Sequence, residues 1–201
     1  MQDLLSEIRR CQICRDHLPH GCRPVLQASE NSKILLIGQA PGKKVHETGI
    51  PWDDTSGKTL RSWLGITDEQ FFDPKILTLV PMGFCYPGKG PTGDLPPRPE
   101  CAETWHLRVL DGLQNIQLTI LIGQYAQRYY LKDNNRKTLT ETVQAWETYL
   151  PSGLLPLPHP SPLNFRWQAK NKWFGTEVLP VFKGQGGRYT VHYSLNKYRP
   201  C

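Results

Sequence analysis

The chain has 201 residues, with 24 lysines and arginines against 18 acidic residues and a formal net charge of +6. That length suits one globular domain with a proper core, and the basic balance favours a polyanionic partner without requiring one. No apolar run approaches the roughly 20 residues of a membrane span, and the N-terminal residues lack a signal-peptide pattern. We therefore expect a monomeric, cytoplasmic protein with no membrane partner, whose six cysteines need an explanation other than disulfides.

Apolar runs and turn signals predict alternating strands and helices. Four apolar runs without a helical polar phase are predicted as buried parallel strands: Lys33–Ile37, Lys75–Val80, Gln117–Ile122 and Leu154–Pro158. Apolar periodicity and capping residues predict six helices: Gln2–Cys11, Lys58–Gly65, Glu100–Leu113, Gln124–Leu131, Thr140–Tyr149 and Asn171–Phe182. This alternation predicts a three-layer α/β/α sandwich over residues 1–182, followed by a basic, tyrosine-containing tail at 183–201.

Two loops that follow predicted strands carry the candidate active site. The loop Gly38–Gly42 follows the first strand, where its glycines allow tight turns and Pro41 prevents the sheet from continuing. The loop His159–Asn164, which reads His-Pro-Ser-Pro-Leu-Asn, follows the last strand. Because ligand sites in open parallel sheets lie beyond the carboxyl ends of the strands, we expect the two loops to face each other across one crevice.

Three other segments carry local predictions. The segment Thr48–Gly57 is rich in turn residues, and Ser56 or Thr55 is the expected cap of the following helix, whose first amides could hold a phosphate. The loop Pro81–Pro99 is too long for an idle connector, so we expect it to carry function. In the last predicted helix the residues expected to turn inward are Trp173, Val178 and Phe182.

Four cysteines have the arrangement of a metal site: Cys11, Cys14, Cys85 and Cys101. The first two form a C-x2-C pair, and the others lie on the long loop and near the start of the next helix. Such a set binds Zn²⁺ or an iron–sulfur cluster, and ligand softness does not separate the two. The alternatives are four unrelated thiols packed as small hydrophobic side chains, or a substitute zinc arrangement that uses Cys22 and His20. We expect a structural role for the site.

These motifs together resemble the uracil-DNA glycosylase superfamily, across roughly Leu4–Phe182. Gly38–Gly42 looks like its first motif, and His159-Pro160-Ser161-Pro162 looks like its second. Thr48–Trp52 is similar to the segment whose aromatic residue stacks on uracil, and Asp54–Gly57 resembles the Gly-Asp-x-Ser-Gly of thermophile-type family-five enzymes. The cysteine spacing matches the iron–sulfur branches, families four and five, which favours a [4Fe–4S] cluster over zinc.

The resemblance implies a four-stranded parallel sheet flanked by helices, and excision of a deaminated base that is flipped out of single- or double-stranded DNA. The residues it assigns to the base are Gly38, Gln39, Ala40, Trp52 and His159, with Trp52 stacked on the base and His159 donating to uracil O2. The implied catalytic residues are His159, Asp54, Asp53 and Gln39. The implied DNA contacts are Ser56, Ser161 and Asn164.

Each of these assignments has a structural alternative. His159 can be a turn histidine, and Trp52 can be a core residue. The two aspartates can cap the following helix and interact with its dipole. Ser161 and Asn164 can satisfy the backbone of their own turn.

The sequence departs from the family pattern at the positions for water activation and base reading. Ala40 stands where family-one enzymes have Asp, and Val45 and His46 replace the acidic residues of family four, which leaves Asp53 and Asp54 as candidate bases. The segment 77–83 lacks the Asn with which many members read uracil, so base selectivity is open. Two other functions therefore remain: a protein that binds damaged or single-stranded DNA without cleaving it, and a hydrolase of a nucleoside-like small molecule.

Overall fold

A computed structural model describes residues 1–183 of the chain, so the predicted tail lies outside the described residues from 184 onward. The strands are β1 (Ile34–Ile37), β2 (Leu77–Leu79), β3 (Lys89–Gly90), β4 (Gly93–Asp94), β5 (Leu118–Ile122) and β6 (Leu154–Leu157). Four of them form one sheet in the order β2-β1-β5-β6, with every pair parallel. The predicted four-stranded parallel sheet between helical layers is confirmed.

Eleven α-helical segments surround the sheet in the described part of the chain: α1 (Gln2–Arg9), α2 (Lys43–Thr48), α3 (Thr55–Leu64), α4 (Asp68–Phe72), α5 (Pro99–Cys101), α6 (Leu107–Asp111), α7 (Gly123–Leu131), α8 (Leu139–Gln144), α9 (Trp146–Tyr149), α10 (Phe165–Lys170) and α11 (Pro180–Lys183). A π-helical turn, Ala102–His106, joins α5 to α6, and another, Phe174–Val178, precedes α11. No helix within residues 1–183 is both long and apolar enough to span a membrane.

The hydrophobic core is divided by the sheet into two layers, because successive side chains of a strand face opposite sides. In β1, Leu35 and Ile37 contribute to one layer and Leu36 to the other. The first layer packs against α1, the α5–α6 stretch and α7, and the second packs against α3, α4 and the C-terminal helical segments. The central strands are therefore buried on both faces, which explains why they read as continuous apolar runs.

The N-terminal helix α1 belongs to this core. Leu5 and Ile8 of α1 are buried in the layer that also contains Trp105 and Val109. On the surface, the Arg108 guanidinium donates two hydrogen bonds to the Glu7 carboxylate, at 2.9 and 2.5 Å. The helix is thus attached to α6 by an apolar contact and by a two-pronged ion pair.

Several helix predictions were wrong in detail. The cap of α3 is Asp54, whose Oδ1 accepts a hydrogen bond from the Gly57 amide at 2.7 Å, so neither Ser56 nor Thr55 caps it. The predicted helix Thr140–Tyr149 is broken at Ala145 into α8 and α9.

The predicted last helix, Asn171–Phe182, is replaced by the second π-helical turn and the start of α11. Val178 and Phe182 are buried as expected, whereas Trp173 is half-buried and its neighbour Phe174 takes the core position. A π-helical turn changes the angular spacing of side chains, so a pattern read at 3.6 residues per turn places the wrong aromatic residue inside.

Three short helices, α2, α4 and α10, and a hairpin were absent from the prediction. The helix α2 begins at Gly42, which provides no side-chain cap, so its sequence carries no start signal. The helix α4 does carry one, because Thr67 and Gln70 form a reciprocal capping box. The hairpin β3–β4 lies inside the long loop and has only two residues per strand.

Candidate active site

The strand order creates a crevice at the carboxyl edge of the sheet. β1 lies between β2 and β5, so the connections that leave these central strands diverge to opposite sides. The loop Gly38–Gly42 leaves β1 at this edge, and Gly123 begins the turn after β5 with a φ of +80°. A Cβ atom on Gly123 would lie 3.8 Å from the Cβ of His159. The loops after β1 and β6 therefore share one edge, as expected from the sequence, and the turn after β5 lies at the same edge.

The loop after β1 is held by the chain that follows β2. The Met82 amide donates to the Gly38 carbonyl at 2.9 Å, and the Gly83 amide donates to the Gln39 carbonyl at 3.0 Å. The side chains of Leu77–Val80 and of Met82 are buried. The end of β2 is therefore buried, and the backbone amides of Met82 and Gly83 that follow it hold Gly38 and Gln39.

Trp52 and His159 lie together at this edge. Their ring centroids are 5.8 Å apart, and the ring planes differ by 29°, which is a nearly parallel, offset arrangement. The indole also covers Gly38, since a Cβ atom on that glycine would come within 2.7 Å of Trp52 Cζ2. The structure thus brings Gly38, Trp52 and His159 to one place, although they are far apart in the sequence.

The backbone of Trp52 is strained and firmly held. Its φ of +58° is an unusual conformation for a bulky side chain. Its carbonyl oxygen accepts a hydrogen bond from Arg61 at 3.3 Å and occupies space that a Cβ atom on Gly57 would fill, at 1.8 Å. Arg61 is buried and is itself fixed by an ion pair with Asp68 at 2.6 Å. The surrounding chain therefore imposes the position of the indole.

Gln127 supports the strand that leads to His159. This side chain is buried, and its amide nitrogen donates to the carbonyl oxygens of Leu157 at 2.8 Å and Leu121 at 3.3 Å. It therefore links the ends of β5 and β6 directly beside the second motif. The sequence prediction missed this residue, because a glutamine in a helix carries no signal for such a bridge.

Ser161 and Asn164 make hydrogen bonds within their own turn. Ser161 Oγ accepts from the Leu163 amide at 3.3 Å, and Asn164 Nδ2 donates to the His159 carbonyl at 2.8 Å. Both side chains thus have the structural role that was the alternative to DNA contact. Ser56 lies in the first turn of α3 and is half-buried.

The two predicted acidic residues differ in position. Asp53 forms an exposed ion pair with Lys44 at 3.5 Å. Asp54 caps α3, and its charge affects His159: burial lowers the pKa of the His159 imidazole, and the Asp54 carboxylate partly opposes this by raising that pKa. Only Asp54 is therefore electrostatically coupled to the histidine, whose lowered pKa keeps the ring neutral at pH 7.

Three residues at this edge were not anticipated. Asp94, on β4, lies with its carboxyl group against Gly42 of the first motif, 3.5 Å from where a Cβ atom would be. Leu163 and Phe165 follow the second motif and are 77% and 56% exposed, an unusual fraction for large apolar side chains. The available signal was the position of Leu163 in the loop His159–Asn164. Asp94 had none beyond its place on a loop expected to be functional.

A basic groove begins next to the crevice. One cavity of about 220 Å³ is lined by Gln124, Arg128 and Lys137 among others, and an adjoining region of about 670 Å³ is lined by Arg136 and Lys137. Within residues 1–183 none of these three cations takes part in an ion pair. Gln124 directly follows Gly123, so the groove starts close to His159.

A model of the uracil DNA glycosylase superfamily matches residues 26–183, which contain both motif loops, Trp52 and the whole sheet. The chain belongs to the uracil DNA glycosylase superfamily. The loops that meet at the carboxyl edge of the sheet therefore lie within the part of the chain that matches the superfamily.

The cysteines extend beyond the part of the chain that matches the superfamily. Cys85 and Cys101 lie inside residues 26–183, whereas Cys11, Cys14 and Cys22 precede them. In the part of the chain that the structure describes, no three His, Cys, Asp or Glu side chains have the geometry to hold a metal ion. The predicted metal site of this superfamily member thus stays a prediction.

The thiols are nevertheless close enough to influence one another. Burial raises the pKa of four of them, and a thiolate at Cys11 would raise each pKa further: Cys14, Cys22, Cys85 and Cys101. For Cys85 and Cys101 the pKa reaches about 12. The Phe84 amide also donates to Cys101 Sγ at 3.4 Å. The five thiols therefore lie in one region of the structure, with the Phe84 amide beside Cys101.

Proposed function

We propose that this member of the superfamily is a monofunctional DNA glycosylase, which hydrolyses the N-glycosidic bond of uracil or another deaminated base flipped out of DNA. The observation that carries the proposal is the contact between Trp52 and His159 over Gly38. An aromatic face and an imidazole at one edge can hold a flat base by stacking and by a hydrogen bond in its plane.

His159 is proposed to stabilise the leaving base. Cleavage of the glycosidic bond leaves negative charge on the base, and a hydrogen-bond donor fixed beside its oxygen lowers the barrier. Burial lowers the pKa of His159, so the ring is a neutral donor at pH 7 and keeps one N–H for the base. The Asn164 and Gln127 hydrogen bonds around its loop support a fixed position.

Gln39 is proposed to read the base in place of the missing asparagine. Its carbonyl is held by the Gly83 amide, while its side-chain amide forms no hydrogen bond within residues 1–183. A primary amide has both a donor and an acceptor for the edge of a base. The carbonyl-rich edge of a deaminated base fits such a reader, and Gly38 and Ala40 flank Gln39 without competing polar side chains.

DNA contact is supported by two surfaces around the crevice. The exposed apolar side chains Leu163 and Phe165 are suited to fill the gap left by a flipped nucleotide, as inserted wedges do in other DNA-binding proteins. The groove that contains Arg128, Arg136 and Lys137 supplies unpaired cations for backbone phosphates.

The decisive experiment compares base excision by the wild type and the His159→Ala variant. Single-stranded oligonucleotides that contain uracil, hypoxanthine or xanthine are incubated with excess protein, and abasic product is measured after alkaline cleavage. We expect His159→Ala to lose about 10² to 10³ in single-turnover rate, the usual cost of removing one such donor. His17→Ala is the matched control, because His17 is exposed. Equal rates in the wild type and His159→Ala would refute the proposed role.

A binding protein without catalytic activity is the second candidate. The apolar, buried end of β2 and the alanine at position 40 favour it, because neither supplies the polar groups that many relatives use. Tight binding of all three oligonucleotides without abasic product would select this function.

We also propose that Cys11, Cys14, Cys85 and Cys101 hold a [4Fe–4S] cluster, with structural Zn²⁺ as the alternative. The donor set and the Phe84 amide support it. Bound to these residues, the group would join the N-terminal segment to the long loop as a covalent cross-link. Protein purified anaerobically should be brown and contain about four iron atoms per chain. Colourless protein with one zinc would select the alternative.

A further inference from the structure

Two carboxyl groups from distant parts of the chain approach the first motif at Gly42. Measured from the position that a Cβ atom on Gly42 would occupy, Asp94 Oδ2 lies at 3.5 Å and Asp54 Oδ2 at 3.8 Å. Because Gly42 has no side chain, both oxygens border open space beside the motif. Asp54 comes from the start of α3, and Asp94 comes from the β3–β4 hairpin of the long loop.

Asp54 is the more constrained of the two carboxylates. Its Oδ1 accepts a hydrogen bond from the Gly57 amide at 2.7 Å, which anchors the group at the start of α3. Its negative charge is felt by His159, where it raises the imidazole pKa against the effect of burial. Asp54 is therefore placed to balance positive charge that develops between the two residues.

Asp94 has a different environment. The Tyr86 hydroxyl donates to Asp94 Oδ1 at 3.4 Å, and Oδ2 is left facing Gly42. Partial desolvation raises the pKa of the Asp94 carboxyl group, the Tyr86 hydrogen bond and the Lys89 charge lower it, and the Asp54 charge raises it. A raised pKa makes a carboxylate a better proton acceptor. Two neighbouring carboxylates with unequal environments can divide the roles of acceptor and charge stabiliser.

The other candidate acceptors near the crevice are less suitable. Position 40 is alanine, so the first motif itself provides no carboxylate. Asp53 is already engaged in an ion pair with Lys44 at 3.5 Å. Asp94 is reached by solvent at its hairpin, so a water molecule has access to the free oxygen.

We propose that Asp94 is the general base of the glycosylase and holds the attacking water beside Gly42. This inference rests on the proposed function. The Asp94 carboxylate accepts one proton from water while the water oxygen bonds to C1′ of the flipped nucleotide. The bond from C1′ to the base nitrogen breaks, and its electron pair leaves on the base, whose oxygen is stabilised by His159. The second hydrogen of the water remains as the new C1′ hydroxyl, and Asp94 returns its proton to solvent.

The test is the single-turnover excision rate of full-length Asp94→Asn over a range of pH. We expect a loss of about 10² or more in rate, since a general base contributes at least that much. The wild-type rate should fall as the pH drops below the pKa of Asp94, and Asp94→Asn should lose that acid limb. Binding of the uracil oligonucleotide should be unchanged or tighter, because a negative charge is removed. Asp111→Asn is the matched control and should behave as the wild type, because Asp111 is exposed at the end of α6.

A second variant separates a catalytic role from a structural one. Tyr86→Phe removes the hydrogen bond that lowers the pKa of Asp94, so the acid limb should move to higher pH. If the wild type is active and Asp94→Asn has the same excision rate and the same acid limb, the assignment of Asp94 is overturned and the proposed function is not. A wild type that excises none of the three bases would overturn the proposed function and this assignment with it.

Discussion

Two histidine environments, one in the core and one at the crevice, show how one side chain can serve structure or chemistry. His106 lies in the core, stacked on Phe84 with ring centroids 5.6 Å apart, and both of its ring nitrogens have partners. Nε2 donates to the Pro81 carbonyl at 3.1 Å, which leaves Nδ1 to accept from the Tyr130 hydroxyl at 2.6 Å. The ring of His159, by contrast, makes no hydrogen bond to the described residues and stacks on Trp52.

The difference lies in how the nitrogens are used, since burial lowers the pKa of both rings. His159 is only half-buried, so solvent or a ligand can reach its ring, whereas an unpartnered polar group in the core would be costly. The donor and the acceptor of the His106 ring are both used in hydrogen bonds within the protein. Those of His159 form no hydrogen bond to the described residues, which is why we assign His159 the role toward the base. The following predictions test that contrast.

The largest effect is expected when His106 is removed. His106→Ala should lower the free energy of unfolding by about 2–4 kcal/mol, because it leaves a cavity and deprives Tyr130 and the Pro81 carbonyl of partners. His159→Ala should change the stability little and the excision rate strongly. Chemical denaturation and single-turnover assays on both variants give the four values. A free energy of unfolding for His106→Ala equal to that of the wild type would show that His106, like His159, contributes little to stability.

We expect the stability of the fold at acid pH to depend on His106. Burial lowers its pKa to about 4, against about 6.5 for an unfolded histidine, so the unfolded state binds the extra proton between these values. Stability should therefore fall as the pH drops from about 6.5 to 4, by at most about 3 kcal/mol. His106→Gln cannot titrate and should reduce this slope. Unfolding midpoints measured at several pH values check it, and parallel slopes in the two proteins would contradict it.

A smaller effect is expected when the position of Trp52 beside His159 is disturbed. Gly38→Ala places a methyl group 2.7 Å from the Trp52 ring and must displace the indole from its place beside His159. We expect the excision rate to fall about 10-fold, the scale of roughly 1.4 kcal/mol lost from stacking. Gly175→Ala is the matched control, because nothing lies within 4 Å of its new methyl group. Equal rates for the two variants would show that the indole position is unimportant.

The smallest effect concerns the groove beside His159. The double variant Arg128→Ala/Lys137→Ala should weaken DNA binding for all sequences and reduce the salt slope of log Kd by about 2, one for each phosphate contact. Titrations of a fluorescent oligonucleotide at several salt concentrations measure this slope. Lys75→Ala, at the other end of β2, is the control and should leave the slope unchanged.

The sequence was sufficient for the sheet and the two motif loops because their signals are local. The apolar run Ile34–Ile37 and the glycines after it predicted a strand and the turn that follows it, and the structure has both. It was insufficient for Asp94, Gln127 and Arg61, whose roles depend on contacts between distant segments. A short hairpin, a bridge between strand ends and a buried ion pair leave no periodic pattern, so these supports of the site became visible only in three dimensions.

The attachment of α1 to α6 shows that the N-terminal helix is part of the folded domain. Glu7 forms an ion pair with Arg108 on the surface, and Leu5 and Ile8 pack against the apolar side chains around Trp105. The span that bears the superfamily signature starts at residue 26 and omits this helix. A protein trimmed to that span would expose this apolar surface to water and would be prone to aggregate. Inactivity of such a fragment would therefore reflect poor solubility and would not test the proposed catalytic role.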